Sequence, residues 1–273
     1  MAAFALPPWP DLFAEAVATH GSAQGSPNPA GSKRATVRAV MALTRATEEG
    51  ANLPGAGGLR AGCASRDRRG LRKVSTVSFL AEVILVGELV TLEPLSAEHH
   101  EGLVAAVRDG NLWDLWYTSI PGPQEMHAEI DRRVGLRDAG TMLPFTLRRD
   151  DTGRIVGMTT FMNVDAANRH VEIGSTWTAR SQQRTGTNTE SKLPLLTHAF
   201  VELECIAVEF RTHWMNLQSR AAIARLGAKA DGVLRSHAVM GDGSLRDTAV
   251  FSIISSQWPA IRNELRRQLA VHR

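Results

Sequence analysis

Two short stretches of this 273-residue chain place side chains and backbone where chemistry could be done. The first is Gln183-Arg184-Thr185-Gly186-Thr187-Asn188-Thr189, between a strand-like run and a helical one. Where a strand gives way to a helix, successive backbone N–H groups converge on one spot, with the positive end of the helix dipole behind them. A diphosphate satisfies such donors, and Gly186 lets the backbone come close to it. Strand, glycine loop and helix also make an ordinary capped loop, so this stretch alone names no ligand. The second runs from Glu209 through Phe210, His213 and Asn216 to Ser219 and Ile223. A strand ends here and a helix begins near Asn216. Asn216 can serve as a plain N-cap with Ser219 on the first turn, or the pair can face a ligand. Glu172, a carboxylate in an apolar strand, can be a general base or a solvated strand residue. His198 and His213 read as core or surface residues, and no spacing suggests a metal site.

The elements that must position these residues follow from periodicity and breakers. Leu89–Leu95 is a short strand stopped by Pro94, and Ser96 precedes a helix that runs to about Arg108. A second helix is expected over Gln124–Ala139, with Gly140 past its end. Strands are expected at Phe145–Arg148, Ile155–Asn163 and His170–Trp177, separated by Asp150-Asp151-Thr152-Gly153 and Asp165-Ala166-Ala167-Asn168. The period then changes to a helix over Thr187–Leu203. A strand at Ile206–Phe210, a helix at Gln218–Leu226, strands at Gly232–Val239 and Asp247–Ile254, and a terminal helix at Ser256–Leu269 complete the order. This is an α+β pattern, a mixed and mostly antiparallel sheet flanked by helices.

Residues 1–80 have another texture. Gly, Ala, Ser, Pro and Arg dominate, and such segments bury too little apolar surface to offset backbone entropy, so a disordered, low-complexity tail is expected. The whole chain carries +3, but residues 1–80 hold ten Lys/Arg and five Asp/Glu, leaving −2 for the rest. A slightly acidic domain argues against nucleic acid as partner. Cys63 and Cys205 form no disulfide or zinc framework, which fits a reducing compartment such as the cytoplasm. No apolar run approaches the roughly 20 residues of a membrane helix. The expected division is a tail at 1–80, a domain at 85–257 and a C-terminal helix at 258–273.

The two stretches together resemble the GNAT acetyltransferase superfamily, and within it the ribosomal-protein N-terminal (Rim-type) group. Gln183 and Gly186 stand in register with the acetyl-CoA pyrophosphate loop, with Asn188 in place of its final small residue. Asn216-Leu217-Gln218-Ser219 resembles the group's Asn-x-x-Ser helix, followed by Leu226-Gly227-Ala228 and Gly232-Val233-Leu234-Arg235. The resemblance spans about Leu89 to Trp258. It implies acetyl transfer from acetyl-CoA to a primary amine, either a protein N-terminal α-amine or a small molecule, with no metal. It implies a splay between the strands at His170–Trp177 and Ile206–Phe210 that admits the pantetheine arm beside Trp177, Thr178 and Ala179. Gln183, Arg184, Thr185, Gly186, Thr187, Asn188 and Thr189 would hold the pyrophosphate and Asn216 the cofactor arm. Ser219 would protonate the leaving thiolate, Glu172 would be the base, and N–H groups near Gly174 would stabilise the oxyanion. Trp116 and Tyr117 are candidates for the acceptor pocket, with Trp113 a core plug. A monomer or homodimer, in the cytoplasm and away from membranes, is the expected state. Two further residues depart from the family pattern: Ser175 stands where relatives carry a bulky aromatic, and Pro194 lies within an expected helix. The alternative reading is a CoA-binding module without catalysis.

Overall fold

A computed structural model describes residues 79–271. The expectations for residues 1–78, Cys63 included, lie outside the described residues. Phe79, upstream of the expected domain start at 85, is 1% exposed and packs in the main core with Leu85, Val90 and Leu92.

The elements run β1 Leu85–Val86, β2 Val90–Pro94, α1 His100–Arg108, α2 Met126–Asp138, β3 Met142–Arg149, β4 Ile155–Asp165 and β5 His170–Thr178. They continue with α3 Thr187–Thr197, β6 Ala207–His213, α4 Leu217–Arg225, β7 Lys229–Val239, β8 Leu245–Ile254 and α5 Trp258–Val271. Short 3-10 turns precede α1 at Ala97–His99 and link α1 to α2 at Leu112–Asp114. One eight-stranded sheet has the order β1-β2-β3-β4-β5-β6-β8-β7. Every neighbouring pair is antiparallel except β5 and β6. This is the mixed, mostly antiparallel α+β sheet that the sequence pattern called for.

Strand alternation sorts the side chains into two apolar layers. Val171 and Ile173 of β5, with Val208 and Phe210 of β6, join Leu195 and Leu196 of α3 and Leu265 of α5 in the larger cluster. On the other face, Leu103 and Val107 of α1 and Ile130 of α2 pack with Met158 and Trp177. Trp113 packs against this second cluster, as a core plug would.

One irregularity interrupts β5. Trp177 pairs with Met158, but Gly174 pairs with Thr160, so β5 has one residue more than β4 over this stretch. Ser175 takes the extra place in the left-handed region, at φ 47°. Such a bulge inverts the facing of the residues beyond it. That is why Trp177 lies in the α1–α2 cluster although Val171 and Ile173 face α3. The sequence pattern contains no glycine or asparagine at Ser175 to announce this bend.

The long helix differs from the sequence expectation. It is α-helical over Thr187–Thr197, passing through Pro194, and then widens into a π turn at His198–Glu202. The turn places Ala199 and Leu203 in the main core and stacks Phe200 on Trp258 at 5.3 Å.

Candidate active site

β5 and β6 run parallel and are paired only at their first residues: His170 with Ala207, Val171 with Val208, and Glu172 with Glu209. Beyond Glu172 the two strands part. β5 stays with β4 and β6 stays with β8, so the facing edges of β5 and β6 are left without a strand partner. Glu172 and Glu209 mark the apex of this V. Both project to the face that carries α1 and α2, opposite Val171 and Val208.

Glu172 is 5% exposed. Burial pushes its carboxyl above the ordinary carboxylate range, partly offset by a hydrogen bond from Asn163 and by the Arg211 charge. Asn163 Nδ2 donates to Glu172 Oε2 at 2.7 Å, and Arg211 Nε lies 3.6 Å from the same oxygen. Arg211 also donates to Glu209. Gly174 lies beside the carboxylate, and a Cβ there would meet Glu172 Oε1 and Met162 Sδ, each at 2.8 Å. A larger residue would therefore displace the carboxylate. The result is a buried, hydrogen-bonded carboxylate at a cleft, with its proton affinity raised by burial.

At the wide end of β5 the chain makes a 3-10 turn at Arg180–Gln182 and enters the glycine loop. Gly186, at φ 86°, is the N-cap of α3, a conformation that disfavours any side chain. Glu190 N–H is the first in α3 to find a helical acceptor, at Gly186 O. The N–H groups of Thr187, Asn188 and Thr189 have no acceptor among the described residues. The loop is braced from within: Thr185 Oγ1 donates to Gln182 O at 2.8 Å, and Arg149 Nη1 reaches Thr187 Oγ1 at 3.4 Å. A braced turn of free donors at a helix N-terminus, with the Arg149 guanidinium beside it, fits a diphosphate.

The other wall is α4. Asn216 is its N-cap, and Asn216 Oδ1 accepts the Ser219 N–H at 2.9 Å. The capping reading of Asn216 therefore holds for its oxygen, while the amide nitrogen keeps its donors. The Ser219 hydroxyl has no hydrogen-bond partner among the described residues. Gln183 spans the cleft: its Nε2 donates to Thr178 O at 3.3 Å, and its Oε1 accepts from Gln218 of α4 at 2.9 Å. Of the three residues expected to line the arm, Trp177 has its side chain in the α1–α2 core, and Ala179 N–H is committed to Val156 O at 2.8 Å. The Thr178 carbonyl is the group turned toward the cleft. At the wide end of the splay, Trp116 is 58% exposed and meets His213, the last residue of β6, edge-on at 5.3 Å and Tyr117 at 5.6 Å. His213 Nδ1 accepts the Met215 N–H at 3.0 Å, which keeps that nitrogen unprotonated, and burial together with Arg246 lowers the ring's proton affinity.

A family profile described as the Acetyltransferase (GNAT) domain matches residues 90–229, just over half of the chain. This chain belongs to the GNAT acetyltransferase family. The stretch matched includes β5, the glycine loop, β6 and α4, the elements that build the cleft. The Bacillus subtilis (strain 168) protein named "Putative ribosomal N-acetyltransferase YdaF" is 32% identical over 106 residues, covering 39% of this chain and 57% of that protein. The chain thus spans a little over half the length of this curated relative. A GCN5-related N-acetyltransferase from Brucella melitensis superposes with a TM-score of 0.61 at 29% identity, over 68% of this chain and 85% of that one. Mycobacterium smegmatis RimJ, solved with CoA-disulfide, gives 0.57 at 24% identity over 68% and 91%, a likeness of fold.

The GNAT cleft thus brings Glu172, the 183–189 loop, Asn216 and Ser219 around one splay, with Trp116 and Tyr117 beside the end of β6 at its mouth. Sequence reasoning missed Asn163, Arg211 and Gln218. Arg211 could have been found, because strand alternation puts it on the face of Glu209. Asn163 reaches Glu172 only because it sits at a bulge with φ 48°, which no local pattern signals. Among the described residues no cluster of His, Cys, Asp or Glu could hold a metal ion, and no helix is long and apolar enough to cross a membrane.

Proposed function

We propose that this chain transfers the acetyl group of acetyl-CoA to a primary amine, and that the acceptor is the α-amine of a protein N-terminus. The observation that carries the reading is the buried Glu172 carboxylate at the apex of the β5–β6 splay. The free N–H groups at the start of α3 support the pyrophosphate at one end of that splay. The open edge of β5 at Thr178 supports the amide-rich arm, as strand edges do for peptides.

The acceptor ammonium gives a proton to Glu172, directly or through one water. Its nitrogen then attacks the thioester carbonyl carbon, and backbone N–H groups near Gly174 carry the oxyanion charge. The C–S bond breaks as the thiolate sulfur takes the proton of the Ser219 hydroxyl, and the second proton of the attacking nitrogen passes through water to the Ser219 oxygen as the amide forms. Arg184, Thr185, Thr187, Asn188 and Thr189 would serve the phosphates, and Gln183 would give up its Thr178 contact to the arm. A protein N-terminus is favoured over a small amine by the ribosomal N-acetyltransferase name of YdaF. The exposed Trp116, Trp214 and Met215 at the cleft mouth also suit a peptide.

The test uses the full chain with acetyl-CoA, following thiol release against N-terminal peptides and small amines. Turnover on peptides is expected, with kcat falling about 10²- to 10⁴-fold in Glu172→Gln. Ser219→Ala is expected to lower kcat by less, since water can replace the hydroxyl as acid. Binding of CoA without turnover on any amine favours a non-catalytic CoA-binding module. No CoA binding at all sinks the reading.

A further inference from the structure

One buried cation has no part in the scheme above. Lys192 of α3 is 3% exposed, and no carboxylate lies within ion-pair distance of it among the described residues. Its Nζ donates to Thr159 Oγ1 of β4 and to Thr176 Oγ1 of β5, each at 3.1 Å, and the two hydroxyls are 2.7 Å apart. These three groups close a triangle. Buried ammonium groups are ordinarily paired with an acid, because desolvation otherwise penalises the charge heavily. Here burial alone pulls the amine down to about 7, so near neutral pH the uncharged form is within reach. An uncharged amine has two N–H bonds to give, which matches the two hydroxyls. Glu190 precedes it on α3 and His198 follows it in the π turn, and β4 and β5 each give it one threonine hydroxyl.

The place of the triangle gives it meaning. Thr159 lies opposite the bulge, between the paired residues Met158 and Thr160. Ser175 and Thr176 are the exposed residues of β5 between buried Gly174 and Trp177. Bulged residues lose ladder hydrogen bonds, so something else must hold them. The Thr176 hydroxyl does so, through Thr159, through Gly174 O at 3.4 Å, and through Lys192. Lys192 belongs to the helix whose first N–H groups are free at the glycine loop.

We propose that Lys192 is a positioning residue that ties the β5 bulge to α3 and so sets the spacing between the two halves of the acetyl-CoA site, the phosphate loop and the strand edge. This rests on the acetyl-CoA reading given above. It involves no covalent step and no contact of Lys192 with the reacting atoms.

The experiment compares the full chain with Lys192→Met, Thr176→Val and the double variant. Both single changes keep side-chain volume and remove one corner of the triangle. The readouts are the Kd for CoA by calorimetry, the separate KM values for acetyl-CoA and for the amine, and Tm. Each single variant is expected to weaken CoA binding and raise the acetyl-CoA KM about tenfold, the effect of losing one well-placed buried hydrogen bond. The amine KM should stay unchanged, and the double variant should lose little more than either single one. An unchanged Kd in folded Lys192→Met overturns the proposal, as does full additivity in the double variant. If Lys192→Met fails to fold, Thr176→Val decides by the same criteria. CoA binding by the wild type without amine turnover defeats the enzymatic reading yet leaves this comparison intact. Absence of CoA binding by the wild type defeats both.

Discussion

At the scale of single residues the site turns on how Glu172 is held. Burial raises its proton affinity, while the Asn163 amide and the Arg211 guanidinium lower it. A base must be deprotonated to act, so the acid limb of kcat/KM should fall above the ordinary carboxylate range. Asn163 stabilises the charged form by donating to Oε2. Asn163→Ala removes that donor, so the folded-state affinity rises further and the limb should move to higher pH, with the plateau rate little changed. A kcat/KM–pH profile measured on both proteins checks this. A limb that stays in place in Asn163→Ala would mean that another group sets it. The glycine beside the carboxylate has a similar logic, because Gly174 leaves space that Glu172 Oε1 and Met162 Sδ fill.

At the scale of elements, α3 carries both the phosphate loop and Lys192, and it does so despite a proline. Pro194 is buried within the helix, with no N–H to bond the carbonyl one turn earlier. Alanine at that position restores the bond without adding volume, against a cost of about 3 kcal/mol for proline in a helix interior. Part of that gain is offset by the cavity left by the smaller side chain. Pro194→Ala should therefore raise Tm by a few degrees, as read by calorimetry, and a lowered Tm would show that the ring is packed to advantage. The bulge in β5 is the second element-scale device. Placing Ser175 in the left-handed region costs about 1–2 kcal/mol, and the Thr159–Thr176–Lys192 triangle anchors the residue that follows it. Ser175, where the resemblance leads to the expectation of an aromatic, thus falls at the bend itself.

At the scale of the whole molecule, the buried Lys192 links stability to pH. Its folded pKa is about 7, below the ordinary lysine value of 10.5 from which it is shifted. Between those values the unfolded chain binds the proton that the folded chain has released, so this group makes stability rise with pH from about 7 to 10.5. The Tm of the wild type relative to Lys192→Met should therefore increase across that window and level off below it. A difference in Tm that is flat from pH 7 to 10 would show the amine to be charged in the fold. The same scale separates what was legible in the sequence from what was not. The α+β order, the glycine loop at 183–189, the Asn216–Ser219 helix start and Glu172 as a strand carboxylate were all readable. Each is a local matter of periodicity, breakers and spacing along a few residues. The triangle around Lys192, the Asn163 and Arg211 contacts to Glu172 and the Gln183–Gln218 bridge were not. They join residues 9 to 39 positions apart through two bulges and a helix crossing. Periodicity could place Lys192 on a helix, but only the packing of α3 on β4 and β5 decided that its amine would be buried without a counter-charge. The sequence by itself determined which elements form and in what order. The tertiary structure decided where β5 bends and what meets at the bend, because a bulge shifts every later side chain to the opposite face and leaves no local mark.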